Sequence, residues 1–295
     1  MDIQALEAFL AVAKTGGFST AANRLFITQP AVSKRIATLE QQLAAKLFDR
    51  IGRQVVLTEA GRTLLPRAQQ LLSDMADARR AIENLSGEVS GVLRIGSSHH
   101  IGLHRLPPVL KQYAKRYPKV ELDLSFVDSE AAWQQVLQGE LELGLLTLPP
   151  TPDPRLLHKV IWPDPLEFLA APEHPLAQQS NISFEQLTQY DALLPGANTF
   201  TRHIVEELFA ERQLTLSVSL ATNYLETLYM MVSVGLGWSL LPRTLKDGAT
   251  APLDLQTPLP TRYLGVVYHP ERSLSNSAQQ FLQVLGEHAS GLENA

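Results

Sequence analysis

Apolar residues recur along this chain at two periods, near four and near two, and the change of period divides it. Val32, Ile36, Leu39 and Leu43 fall on one stripe of a helix, which has to pack on Phe9, Val12, Phe18 and Leu25. Pro30, Lys34 and Ala37 point away from that stripe, and Gln29 and Ser33 lie at its flank near the helix start. Proline is tolerated in a first turn, where its missing N–H costs nothing, so this helix begins at Thr28 or Gln29. Ahead of it residues 3–14 read as a helix. After the Gly16-Gly17 break Ser19 is the expected N-cap of another, with Ala21 and Ala22 small enough for a close crossing. Two short helices joined by a tight turn over 19–40, the second slim and polar outward, make a DNA-reading device. Residues 49–57 then read as two short β segments around Gly52, a wing.

From the N-cap Thr58 a long helix runs to about Leu85. Its residues Leu64, Ala68, Leu71, Met75, Ala78, Ile82 and Leu85 are spaced alternately four and three apart, an unbroken heptad seam. That seam predicts dimerisation, with packing on the chain's own body as the alternative. Pro66 lies inside the helix and should bend it.

Beyond a linker at 86–91 the pattern alternates between strand and helix. Strands are expected at 92–95, 120–126 and 143–146, with helices at 106–117 and 131–138. A proline cluster at 149–154 breaks the chain. Strands then follow near 166–170, 216–220 and 238–241, with helices at 183–187 (opening on a Ser-x-x-Gln capping box), 202–212 and 225–234. A strand at 263–268 and a helix at 277–288 close the chain. The alternation implies a mostly parallel sheet.

Composition adds an asymmetry of charge. The chain has 295 residues and a net charge of −5, yet residues 1–65 hold eight basic against five acidic side chains, +3, leaving −8 for the rest. A basic N-terminal module on an acidic body suits nucleic acid at one end and something else at the other. No apolar run is long enough to span a bilayer, and residues 1–4 lack the basic start and apolar core of a signal peptide, so a cytoplasmic location is expected, with no membrane partner. The absence of cysteine removes disulfides and thiolate metal sites.

Taken together, Phe9, Gly17-Phe18-Ser19, Ala21-Ala22, Leu25, Gln29-Pro30-Ala31-Val32-Ser33, Ile36, Leu39-Glu40, Leu43, Leu47-Phe48 and Thr58-Glu59-Ala60-Gly61 resemble the LysR-type transcriptional regulators. The likeness runs over nearly the whole chain, with Gly91 to Gly96 and Gly235 to Pro242 similar in outline. It implies an α plus α/β architecture: a winged helix-turn-helix (1–57), a dimerising linker helix (58–87) and a two-subdomain effector domain of the periplasmic-binding-protein type (88–295). One subdomain would take about 91–161 and 268–290, the other about 162–267. It further implies assembly as a homodimer or homotetramer on a partly palindromic promoter site, with a small effector in the cleft and RNA polymerase a further candidate partner.

The DNA-binding candidates are Gln29, Pro30, Ser33, Lys34, Arg35, Arg50 and Arg53. By the resemblance Gln29, Pro30, Ser33 and Lys34 face the major groove and Arg53 the minor groove. Lys34 is a point charge rather than a bidentate fork, which suits phosphate. Arg50 and Arg53 on the wing reach groove or phosphate, or pair with a neighbouring carboxylate. The dimerisation candidates are the seven seam residues.

In open α/β sheets ligands bind beyond the carboxyl ends of strands, where helix N-termini favour anions. Ser97, Ser98, His99 and His100 follow the first strand of the effector domain, Thr147 follows the third, and Thr199, Thr201 and Arg202 open a helix; these are the effector-binding candidates. They suit a small anion or carboxylate, and no cofactor is implied. Arg202 is either an anion clamp or solvated. His99, His100 and His104 lie close in sequence, but no acidic residue or cysteine accompanies them, so they read as loop histidines lining a polar cleft, not as metal ligands. Trp238 and Tyr229-Met230-Met231 read as core. An enzyme is not expected: no Gly-x-Ser-x-Gly elbow, phosphate loop, dinucleotide fingerprint or zinc motif is present. A solute-binding protein fits 91–290 alone, and is opposed by the N-terminal third.

Overall fold

The computed structural model describes residues 1–51, 54–151, 153–245, 247–255 and 257–292. The chain divides into two compact units, Met1–Ser86 and Gly87–Ala295.

The first unit orders α1 (Ile3–Thr15), α2 (Phe18–Arg24), α3 (Gln29–Leu43), β1 (Phe48–Ile51), β2 (Gln54–Leu57) and α4 (Glu59–Asn84). Its core joins Phe9, Val12, Val32, Ile36, Leu39 and Leu47, with Phe18 and Leu25 packed at the margin, so the stripe on α3 finds its expected partners. Leu43, at the end of that stripe, stays exposed. Ser19 does not cap α2. Gly17 takes the N-cap position in extended backbone, and Ser19 falls inside the first turn, because the helix begins two residues earlier, which brings Phe18 against Phe48. Thr28 does cap α3, and Pro30 sits in its first turn.

The Thr58 to Gly61 segment joins wing to long helix. The Thr58 hydroxyl accepts from Gly61 N at 3.0 Å and donates to the Lys46 carbonyl at 2.7 Å. A Cβ on Gly61 would lie 2.2 Å from the Leu47 carbonyl oxygen, so only glycine allows this approach. Beyond that joint α4 is continuous through Pro66 for 26 residues. Its first turns are not free for a partner: Ala68 is fully buried in the unit's own core, and Leu64 packs against it. The expectation that all seven seam residues serve a dimer is corrected at Ala68, because the three-helix core needs α4 as a further wall. Leu71, Met75, Ala78, Ile82 and Leu85 remain exposed.

The second unit contains β3 (Gly91–Ser97), α5 (His99–His104), α6 (Leu106–Arg116), β4 (Val120–Phe126), α7 (Ser129–Leu137), β5 (Leu143–Thr147), β6 (Leu157–Ala170), α8 (Phe184–Leu187), β7 (Ala192–Leu194), α9 (Phe200–Ala210), β8 (Val218–Ala221), α10 (Leu225–Ser233), β9 (Ser239–Pro242), β10 (Ala251–Pro252), β11 (Thr261–Tyr268) and α11 (Asn276–Leu292). Two cores divide it into lobes. One gathers Leu93, Ile95, Leu145, Trp162, Val266 and Phe281, the other Leu166, Phe168, Leu194, Phe209 and Trp238. Strand β6 contributes to both, and β11 pairs with it along its whole length.

The seven-stranded sheet has the order β10-β6-β11-β5-β3-β4, with β9 added on β6. It is mixed where a mostly parallel sheet was expected. Strands β3, β4 and β5 are parallel, but the chain leaves the first lobe on β6 and returns on β11, and an out-and-back pair is antiparallel by construction.

Candidate functional site

On α3 the exposed positions are Pro30, Lys34, Ala37, Thr38, Gln41, Gln42 and Leu43. Gln29 and Ser33, one turn apart, are half-buried, and Gln29 Nε2 donates to Ser33 Oγ at 2.9 Å. That bond fixes the amide and leaves its carbonyl oxygen able to accept from a base edge. Arg35 lies on a different side: its guanidinium donates to Gln4 Oε1 of α1 at 2.8 Å. Phe26 stands in the turn before α3 in left-handed backbone and is 95% exposed, a feature sequence periodicity did not mark. Arg53 and the Arg50 side chain lie outside the described residues.

The second unit holds a cleft between its lobes, lined by Ser98, His99, His100, Thr147, Thr199 and Thr201 from the expected set. Ser97 and Arg202 do not line it. The Ser97 side chain is buried and donates to the Ser98 carbonyl, because alternation along β3 turns it inward. Arg202 is held by Glu206, 2.8 Å away and one turn along α9, and so is no clamp.

Sequence reading missed Asp128, Ser129, Glu130, Pro195, Asn223, Tyr224, Leu225 and Arg262, which complete the lining. Ser98, Asp128 and Tyr224 are the N-cap residues of α5, α7 and α10, and none caps its helix with its side chain. Three helix N-termini therefore present amides to one cleft, each with the positive end of its dipole. The Ser129 hydroxyl accepts from Thr147 N at 3.1 Å, which keeps its own proton for a ligand.

At the floor lies a buried charge network. Asp164 on β6 and Arg262 on β11 face each other in register, with Arg262 Nε donating to Asp164 Oδ2 at 2.8 Å and Nη1 to Thr201 Oγ1 at 2.9 Å. Arg262 Nη2 is buried and has no partner. Arg105 reaches Asp164 Oδ1 at 3.5 Å, and His100 Nε2 lies 3.9 Å from Oδ2. Burial pulls the Arg262 pKa below the usual arginine value, against the opposing pull of Asp164.

Hydrogen bonds cross the cleft mouth. Glu130 Oε1 on α7 accepts from Phe200 N, the first residue of α9, at 2.7 Å; burial raises its pKa and this bond opposes the rise. Asn223 Nδ2 donates to Asp128 Oδ2 at 2.7 Å. At the edge, Glu226 Oε1 lies 3.4 Å from His100 Nδ1 and 3.0 Å from His104 Nε2. Burial would raise the Glu226 pKa, but bonds from His100, its own backbone amide and His104 bring it down to about 2. Burial pushes His100 down, opposed by its bond to Glu226. The histidines stand on a helix, not a loop, and an acid does accompany them: it arrives from α10, over a hundred residues later.

Residues 86–290 match the family model for the LysR substrate binding domain, and residues 3–62 that for the bacterial regulatory helix-turn-helix protein of the lysR family. An uncharacterised HTH-type transcriptional regulator of Azotobacter vinelandii is 67% identical over 108 residues, 37% of this chain and 75% of that one. The HTH-type transcriptional activator CmpR of Synechocystis is 30% identical, covering 96% of this chain and 94% of its own. The fold is shared with full-length OxyR from Pseudomonas aeruginosa at a TM-score of 0.70 and 24% identity, over 98% and 94% of the two chains. No described helix is long and apolar enough to cross a membrane. The helix-turn-helix and the two-lobed domain thus fall together in one family, which sets aside both an enzyme and a solute-binding protein: the chain is a LysR-type transcriptional regulator, a DNA-binding protein with an effector-binding domain.

Proposed function

We propose that this regulator reads promoter DNA through the N-terminal part of α3, assembles through α4, and is controlled by a small carboxylate or related anion held between the lobes of its effector domain. The observation that carries the effector class is the convergence of three helix N-termini, at Ser98, Asp128 and Tyr224, around Arg262 with its unpartnered Nη2. An anion there gains amide donors and the guanidinium together, while Asp128 and Glu130 are already engaged across the cleft. The exposed end of α4 supports a dimer, and a tetramer follows if two such dimers pair. Action in the cytoplasm, at a promoter also bound by RNA polymerase, completes the reading. Effector and DNA affinities are then coupled reciprocally, by about 1–3 kcal/mol.

Two measurements bear on it. A thermal-shift screen of the full chain is expected to give hits among small carboxylates and none among their neutral amides; stabilisation by the amides alone would overturn the anion reading. On the DNA side, the double variant Gln29→Ala with Ser33→Ala is expected to lose about 1–3 kcal/mol of specific binding per base contact removed, while salt-driven nonspecific binding persists. An equal loss on all sequences in gel shifts would mean that the two residues only position the helix.

A further inference from the structure

His100 and His104 are four residues apart on α5, so both imidazoles face the same way, toward α10 of the other lobe. With Glu226 they bring two nitrogens and a carboxylate oxygen to within 4.8 Å of one another. Ligands held at 2.0–2.1 Å around a tetrahedral zinc ion are separated by about 3.3–3.4 Å. Glu226 Oε1 already lies 3.4 Å and 3.0 Å from the two nitrogens. A carboxylate engaged only in hydrogen bonds gains by sharing two donors over its two oxygens. Here both histidines converge on Oε1, and Oε2 is buried without a partner. The far nitrogen of His100 faces Thr244 Oγ1 at 3.5 Å and the Asp164 carboxylate at 3.9 Å, on the side where metal-bound imidazoles are usually oriented by an outer partner.

We propose that His100, His104 and Glu226 bind a divalent late first-row transition metal, Zn²⁺ in the first instance, and that the ion clamps the two lobes of the effector domain together. Imidazole and carboxylate without thiolate suit zinc, nickel or cobalt. Three protein ligands leave a fourth position for water. Because the histidines belong to one lobe and the glutamate to the other, only the closed arrangement offers all three. The ion therefore stabilises that arrangement by its differential affinity. The metal would take side chains of His100, His104 and Glu226, whereas the anion reading rests on backbone amides and Arg262. His100 and Glu226 lie in the first turns of α5 and α10, so the two sites adjoin, and metal uptake measured without any carboxylate effector tests the metal site by itself.

The test uses the full-length, tag-free protein, stripped with EDTA and dialysed against Zn²⁺. Wild type is expected to retain one ion per chain beyond what His104→Gln or Glu226→Gln retains. Either variant should weaken binding by more than the roughly 10–100-fold that loss of an outer partner costs. Co²⁺ in place of zinc should give the visible absorption of a tetrahedral site in wild type only. Both substitutions are near in shape and fall on partly exposed side chains, and an unchanged melting curve in EDTA establishes that the variants are folded. Equal uptake by wild type and both variants, or no uptake by any, overturns the site. Zn²⁺ should also slow amide hydrogen exchange at the N-termini of α5 and α10 in wild type and not in His104→Gln; no slowing in wild type overturns the clamp.

Discussion

Asp164→Ala is expected to destabilise the effector domain by about 3–5 kcal/mol, the usual cost of leaving a buried charge without its partner. Asp164 is 0% exposed and Arg262 4% exposed, so the guanidinium cannot turn to water when the carboxylate is gone. Arg105 loses the same neighbour, and the two guanidiniums are left facing each other without their shared carboxylate, which adds like-charge repulsion to desolvation. The cost belongs to the orphaned charge more than to the bond, so adding Arg262→Met to Asp164→Ala should recover a large part of it. Differential scanning calorimetry of the full chain checks this. The transition of the effector domain should fall for Asp164→Ala and rise again in the double variant. A transition left in place by Asp164→Ala would mean that solvent reaches Arg262 and that the network does not hold the strands together.

That pair was also the part of the site least legible in the sequence. Asp164 sits between Pro163 and Pro165, ahead of the strand expected near 166–170, and proline is unusual within a strand. In the fold the prolines fall at paired positions of β6 opposite Tyr263 and Thr261, and the strand runs through them for 14 residues. Arg262 was lost because the closing strand was expected only from Tyr263, whereas it begins at Thr261. Sequence periodicity cannot see a polar pair whose burial comes from two lobes meeting. Ser98 and Thr201 were reached by a different route, the rule that ligands gather at strand ends before helices, and that rule is local.

The helix-turn-helix was legible because its information is short-range: a stripe at helical spacing, a threonine cap, a proline in the first turn. What failed there failed by two residues, at Ser19 against Gly17. Glu226 shows the opposite limit. Nothing near His100 and His104 in the chain announces an acid, and only the crossing of β6 and β11 brings α10 to α5. A single signal pointed to it, the placement of Glu226 in the first turn of a helix whose start was expected at 225.

The second large effect is expected at Leu71. Leu71→Asp should convert the assembled regulator to monomers at micromolar concentration while leaving the DNA-binding unit folded. Leu71 and Met75 are 43% and 48% exposed and Ile82 and Leu85 71% and 85%, on a helix roughly 39 Å long at 1.5 Å per residue. An apolar stripe of that length in water calls for a partner, and its spacing of three and four suits a second helix. A carboxylate placed in the seam would be buried unpaired, and a loss of about 3 kcal/mol already weakens association more than a hundredfold. The contrast with Ala68 makes the test specific. Ala68 is enclosed by its own unit, so Ala68→Asp should unfold that unit, whereas Leu71→Asp should spare it. Sedimentation velocity and circular dichroism together separate the outcomes. Monomers with native helix content place the interface on the exposed part of α4, and an assembly that persists in Leu71→Asp removes this helix from the interface.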